Sequence, residues 1–351
     1  MPLTLTVAGE RWRAHLRSVA AAYPGLVPVA KGNGYGLGLH RLARKADWLA
    51  QQGLHCDVLA VGTYAELPEV ASRFDGSLVV LTPWRPTTPT LDPALADRVI
   101  HTVSRGSDLP LLLDRQPGAR VLLERITSMR RHGMAAAELW AAAALARRRA
   151  RLEGVTIHLP MGSGAANLTE ARDLMDDVVG AEASTVWVSH LGTADLERLR
   201  ASYGDLVVRP RIGTALWLGD RDALRVTATV EDVHPIGRGE TYGYRRRAAA
   251  RAGHLIVASG GTAHGLGLAA PVGDTGLRSR AVTLAKGGLE AVGVARSPYL
   301  LDGKQLLFAE PPHMQESMLL LPPGTRVPEV GEELDVRVRY TTTEFDETVI
   351  A

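Results

Sequence analysis

The 351-residue sequence contains one cysteine, Cys56. A single thiol cannot close an internal disulfide, so the fold is expected to rest on packing alone, as suits a reducing cytoplasm. The opening stretch, MPLTLTVAGERWRAHL, lacks the basic start and the continuous apolar run of a signal peptide. Charge of one sign is also missing: 40 basic residues face 38 acidic ones, a formal +2. A whole-chain nucleic-acid footprint is therefore not expected, although Arg147 to Arg151 and Arg245 to Arg251 are local basic clusters. There is no low-complexity tract, no metal-ligand set, and no strand followed by GxGxxG and a helix. What remains is ordinary globular composition, 46% apolar and 22% charged, which argues against a disordered or membrane-spanning chain. At roughly 150 residues per domain, two domains are expected.

Eight short β-rich apolar runs occupy the first two thirds: Leu26 to Ala30, Asp57 to Val61, Leu78 to Thr82, Arg98 to Val103, Arg120 to Leu123, Gly154 to Leu159, Thr185 to His190 and Leu206 to Ile212. Between most of them lie stretches with helical spacing, clearest at Ala135 to Ala150 and Leu168 to Val179. Strand and helix alternating eight times predict a (β/α)8 TIM-type barrel over residues 1–219, with ligands at the C-terminal ends of the strands. From about Gly219 the texture changes. Val226 to Val233, His254 to Ser259, Gly288 to Ala295, Gln305 to Ala309 and Leu334 to Tyr340 read as strands between Gly/Pro-rich turns such as PVGDTG. Residues 220–351 are thus predicted to be a C-terminal antiparallel β domain, joined through the short Asp220 to Leu224 connection.

The most informative segment is LVPVAKGNGYGLGLH, Leu26 to His40. An apolar strand ends in Lys31, and glycines follow at positions 32, 34, 36 and 38. A lysine at a barrel mouth with low-dielectric walls can lose its proton and form a Schiff base. A solvated lysine capping a strand would look the same, and the glycines suit either close ligand approach or tight turns.

The run VAKGNGYGLG resembles the pyridoxal-phosphate lysine segment of the alanine racemase family, V-K-A-(N/D)-A-Y-G-H-G. Other landmarks follow in order. SMRRHG (Ser128 to Gly133) is similar to G-M-x-R-x-G, IHLP (Ile157 to Pro160) to T-H-F-A, and RIGTALWLG (Arg211 to Gly219) to R-P-G-I-x-L-Y-G. TYG (Thr241 to Gly243) and GTAHG (Gly261 to Gly265) resemble S-Y-G and G-Y-A-D-G. The likeness runs over about residues 5 to 340, and its lysine and arginine segments are specific in combination.

The resemblance implies a divergent pyridoxal 5'-phosphate enzyme that racemises an amino acid and so handles D-amino acids. In it Lys31 would carry the cofactor aldehyde as a Schiff base and act as one proton-transferring base. Tyr35, Thr193, Gly213 and Thr214 would hold the phosphate, His158 would lie against the ring, and Arg211 would face the ring nitrogen, a permanent cation that weakens the ring as an electron sink. Arg131 would stand near the substrate carboxylate, with Glu124 where the family has a carbamylated lysine, which makes an ion pair between the two plausible. His190 fits either core or site. The resemblance also implies a homodimer with shared active sites, the β domain of one chain completing the barrel mouth of the other.

One departure limits the carry-over. Aligning GTAHG with G-Y-A-D-G puts Thr262 where a tyrosine is expected to serve the second face, and an unassisted threonine hydroxyl is too weak an acid for that. His264, two residues on, could supply the acid or serve a turn, and Tyr242 or Tyr244 would be next in line. A racemase or epimerase, a decarboxylase or lyase needing only one proton-transfer face, and a non-catalytic pyridoxal-phosphate-binding protein therefore all stay open. Neither nucleic acid nor membrane is an expected partner.

Overall fold

The computed structural model describes residues 2–54, 56–162, 164–268, 295–322 and 324–351. The chain divides into two units, Arg13–Gly219 and Met1–Trp12 with Asp220–Ala351. The first dozen residues, expected with the barrel, thus belong to the second unit. The reason is a further strand, β1 (Leu3–Val7), whose alternate residues are buried and which pairs with Leu224 to Ala228. It is followed by α1 (Gly9–Ala22).

The larger unit is a closed eight-stranded parallel barrel, with strands β2 (Val27–Ala30), β3 (Val58–Val61), β4 (Ser77–Val80), β5 (Val99–Val103), β6 (Arg120–Arg125), β7 (Arg151–Ile157), β8 (Thr185–Val188) and β9 (Val207–Ile212). Each expected run contributes one strand. The helices are α2 (Leu39–Gln51), α3 (Leu67–Ala71), α4 (Asp108–Arg115), α5 (Ala136–Arg149), α6 (Gly164–Gly180), α7 (Thr193–Ser202) and α8 (Thr214–Leu218). Inward-facing residues fill the barrel: Val27, Val29, Val58, Ala60, Val79, Ile100, Leu122 and Trp187 form one buried cluster. Their neighbours along the strands face outward onto the helices, as with Val121, Leu123, Val155 and Val186. Strands buried on both faces read as continuous apolar runs, which is why they stood out in the sequence.

Between β4 and β5 the helix is missing. Prolines at 83, 86, 89 and 93 leave only a single short turn at Pro93–Leu95, since each proline removes a donor that a helix needs. The segment is held by side chains instead: Arg115 donates to the carbonyls of Thr88 and Pro86 at 2.9 and 2.8 Å, and Arg85 pairs with Asp108 at 2.9 Å.

Under this segment lies His101, an outward-facing residue of β5 that is 1% exposed. The Tyr64 hydroxyl lies 2.9 Å from its Nδ1 and Gln116 Oε1 lies 3.2 Å from its Nε2. Burial pushes its pKa down to about 4. A folded-state value below the unfolded one means that the unfolded chain takes up the proton first as the pH falls, so stability is full above about 6.5 and is lost below it. Between pH 7 and 5 this residue is expected to remove about 2 kcal/mol. Urea unfolding of the parent and His101→Gln at both pH values checks it, and equal losses in the two proteins would contradict it.

The smaller unit holds β1 and the strands β10 (Leu224–Ile236), β11 (Thr241–Tyr242), β12 (Arg247–Ala248), β13 (Gly253–Ser259), β14 (Ala295–Leu301), β15 (Lys304–Phe308), β16 (Glu316–Leu320), β17 (Glu333–Val336) and β18 (Glu347–Ile350). Eight of these make one sheet in the order β13-β16-β15-β14-β17-β10-β1-β18, while β11 and β12 form a separate hairpin. The sheet is antiparallel apart from the β1–β18 pair, which is parallel. The strand expected over Gly288 to Ala295 lies outside the described residues except for Ala295, and the PVGDTG turn lies outside them entirely. No helix among the described residues is long and apolar enough to cross a membrane.

Candidate active site

Lys31 follows β2 directly, at the C-terminal end of the barrel. Glu66 ties the loop behind it to the next one, accepting the Gly32 N–H at 3.1 Å and the Gly62 N–H at 2.7 Å. Partial burial pushes the Lys31 pKa down, Arg131 and Arg211 push the same way by repulsion, and Glu66 opposes them. More of the amine is then free of its proton at neutral pH than in an exposed lysine, as attack on a carbonyl requires.

Tyr35 lies in the turn Gly34–Gly36 with φ 57°, a left-handed conformation unusual for a tyrosine. Its side chain is buried and reaches the end of β9. A Cβ on Gly213 would lie 2.0 Å from the Tyr35 hydroxyl, so only glycine admits this approach. Gly213 and Thr214 open α8, and Thr193 opens α7, where first-turn N–H groups have no partner within the helix. Such N–H groups and hydroxyls accept phosphate oxygens.

Arg211, on β9, is buried. Its Nη2 donates to the Ile157 carbonyl at 3.3 Å and points to His158 Nδ1 at 3.4 Å. Its Nε has no partner. Desolvation lowers its pKa to about 10 against the pull of Glu124, so it remains a cation at neutral pH. His158 follows β7 directly, and the Ser189 hydroxyl lies 3.2 Å from the same Nδ1. With two donors directed at Nδ1, that nitrogen is the acceptor and Nε2 bears the proton. Burial, then Arg211 and Arg131, push His158 down to about 3, so its ring is neutral throughout the physiological range. His190 stands edge-on to it, ring centroids 5.5 Å apart, with φ 58°. That answers the question left open for His190: it belongs to the mouth, not the core.

Arg131 is carried by the loop after β6. The loop is closed at its base by Met134 N–H to Glu124 O at 2.8 Å and Ile126 N–H to Met134 O at 3.1 Å. Gly133, φ 126°, sits so close to Ile126 that a Cβ would fall 2.3 Å from its nitrogen. The Arg131 side chain is exposed and its charge acts on Lys31, His158 and Arg211. Glu124 is 5% exposed. Burial raises its pKa, while Arg211, Arg131 and Arg85 lower it. The expected Glu124–Arg131 ion pair is not formed, and Glu124 Oε2 is left without a partner.

The barrel therefore brings Lys31, Tyr35, Arg131, His158, Thr193, Arg211, Gly213 and Thr214 to its C-terminal end, and adds Glu66, Ser189 and His190. Thr262 and His264 lie in the smaller unit, each tied into it. The Thr262 hydroxyl donates to the His313 carbonyl at 3.3 Å. His264 is 7% exposed; its Nδ1 accepts the Gly261 N–H at 3.1 Å and its Nε2 lies 3.1 Å from both oxygens of Asp346. Both ring nitrogens are thus engaged within the smaller unit. Tyr242, on the hairpin strand β11, is half-buried and packs against Ile236, Ala249, Leu255 and Ala309.

The mouth suits pyridoxal phosphate. The buried Nε of Arg211 is a donor lacking an acceptor, and such a group is costly unless a ligand atom completes it. The family described as alanine racemase, N-terminal domain, matches residues 8–220. No curated protein matches the chain. Among solved structures, it resembles the alanine racemase from Bartonella henselae with covalently bound pyridoxal phosphate, at 16% identity over 100% of both chains and a TM-score of 0.72. It also resembles alanine racemase from E. faecalis, at 17% identity over 100% of this chain and 98% of that one, TM-score 0.70. A third is alanine racemase from D-cycloserine producing Streptomyces lavendulae, at 18% identity over 100% and 97%, TM-score 0.69. Likeness at these identities concerns the fold.

Proposed function

The chain belongs to the alanine racemase family through its N-terminal domain, and we propose that it is a pyridoxal-phosphate-dependent amino-acid racemase or epimerase. The observation that carries this reading is the buried, unpaired Nε of Arg211 in the same mouth as a lysine whose pKa is lowered. Lys31 would hold the cofactor covalently. Tyr35, Thr193, Gly213 and Thr214 would hold its phosphate, His158 would lie against its ring, and Arg211 would face its ring nitrogen.

Bound pyridoxal phosphate supplies an aldehyde that joins covalently to an amine and a ring that spreads the negative charge left at Cα. The protein's part is to move protons and fix orientation. Arg131 pairs with the α-carboxylate and orients the Cα–H bond. Lys31 Nζ takes the Cα proton from one face. A group on the other face must then give a proton to the same carbon; before the next molecule of the same enantiomer reacts, Lys31 loses its extra proton to water and the second group regains one from it.

We assign that second group to the Tyr242 phenol. Thr262 and His264 have their polar atoms engaged within the smaller unit, whereas Tyr242 brings a phenol, and phenols as a class are far more acidic than alcohols. The working unit in this reading is a cytoplasmic homodimer in which the partner provides the phenol; a monomer with full turnover at micromolar concentration would contradict that arrangement. The reading as a whole is tested by adding pyridoxal phosphate to the purified protein and screening the common amino acids by chiral chromatography. One or more should be converted to a mixture of enantiomers. Release of carbon dioxide or an aldehyde without enantiomer exchange would make the protein a decarboxylase or lyase, and binding without any turnover would make it a cofactor carrier.

A further inference from the structure

The hairpin that carries Tyr242 has a device of its own. Strands β11 and β12 pair only with each other, Thr241 opposite Ala248 and Tyr242 opposite Arg247. The ladder is continued at its base by Ala249, which accepts the Gly239 N–H and donates to the Glu240 carbonyl, both at 2.8 Å, but so short a hairpin is at best marginal in water and its position depends on contacts beyond the ladder. One is the apolar packing of Tyr242 on Ile236, Ala249, Leu255 and Ala309. Another is Arg247 Nη1 donating to the Ala309 carbonyl at 3.2 Å. The third is Glu310.

The Glu310 side chain is 3% exposed. A buried carboxylate is costly unless donors satisfy it, and Glu310 finds them in two places. The Tyr244 N–H donates to both oxygens, at 3.0 Å to Oε2 and 3.3 Å to Oε1. The His313 Nε2 lies 2.7 Å from Oε1. The His313 ring in turn packs on the Tyr244 ring, centroids 4.6 Å apart. Between Tyr242 and Tyr244 stands Gly243, with φ 70°; a Cβ there would lie 2.3 Å from Glu310 Oε2. The carboxylate thus presses on the backbone of the residue next to Tyr242 and bonds to the residue after that.

We propose that Glu310, held by His313, is a positioning residue that fixes the Gly243–Tyr244 turn and through it the Tyr242 phenol. This rests on the assignment of Tyr242 to the second face. An exposed turn bearing Arg245, Arg246 and an 85% exposed Tyr244 would otherwise be free to shift, and a displacement of about 1 Å at a proton donor is enough to lower a rate about a hundredfold.

The test follows Cα deuterium uptake and inversion separately, on the pyridoxal-phosphate-loaded enzyme in D₂O, starting from each enantiomer. In Glu310→Gln, inversion should fall by about 10²-fold while exchange from the enantiomer served by Lys31 stays within a factor of about three of the parent. His313→Phe, which keeps a ring on Tyr244 but loses the bond to Glu310, should show the same imbalance to a smaller degree. A purely structural role would lower both faces together, and that outcome, or parent-like inversion in Glu310→Gln, overturns the proposal. Tyr242→Phe is the control: if it too leaves inversion intact, the assignment of Tyr242 fails, whereas an effect in Tyr242→Phe with none in Glu310→Gln removes only the positioning role.

Discussion

Lys31→Ala is expected to lower enantiomer interconversion by roughly 10⁴-fold or more, because one side chain supplies both the covalent hold on the cofactor and the proton-transferring base of one face. Borohydride reduction of the parent loaded with pyridoxal phosphate should fix the cofactor to the peptide containing Lys31, and the variant should take up no label. The neighbourhood gives the reason for this site selectivity. Burial and the repulsion of Arg131 and Arg211 lower the pKa of Lys31, and in the proposed arrangement Arg211 would face the ring nitrogen. Label on Lys45 or Lys304 would place the chemistry away from the barrel mouth and overturn the assignment.

Tyr242→Phe is the second large effect. It removes one oxygen and keeps the apolar packing on Ile236, Ala249, Leu255 and Ala309, so the hairpin should stay in place. Loss of a general acid costs about 10² to 10⁴ in rate, and that loss should fall on inversion alone. Exchange of the proton facing Lys31 should continue, turning a two-face enzyme into a one-face enzyme. His264→Gln should by contrast leave inversion near the parent level, since His264 is already engaged by Gly261 and Asp346. A reversed pattern, with Tyr242→Phe unchanged and His264→Gln defective in inversion alone, would return the second face to the histidine.

The barrel was legible because its strands are buried on both faces and alternate with amphipathic helices, a pattern that survives extreme divergence. Gly213 was legible for a related reason: the close approach of the Tyr35 side chain leaves no room there for a Cβ, so that glycine is written into the backbone. Two kinds of feature were not. The β1 strand is five residues long and pairs with β10, whose nearest paired residue in the chain, Leu224, lies more than two hundred positions away, so no local signal ties it to the smaller unit. Ser189, and the bonds of Glu66 to Gly32 and of Glu310 to Tyr244, depend on groups 31, 34 and 66 residues away that only folding brings near, so they carry no spacing to read. The partners of Thr262 and His264 were not legible either: GTAHG offers a threonine and a histidine as candidate proton donors, and the residues they bond to, His313 and Asp346, lie 51 and 82 positions away.

In the proposed reaction, protons reach the same carbon from two faces. The measurement that bears on it most directly is NMR and chiral analysis of a single amino-acid enantiomer incubated in D₂O with the enzyme and pyridoxal phosphate. Deuterium should enter Cα and the opposite enantiomer should accumulate in the same incubation, with the product enantiomer carrying deuterium from its first appearance. Deuterium entering Cα with full retention of configuration, however long the incubation, would contradict it.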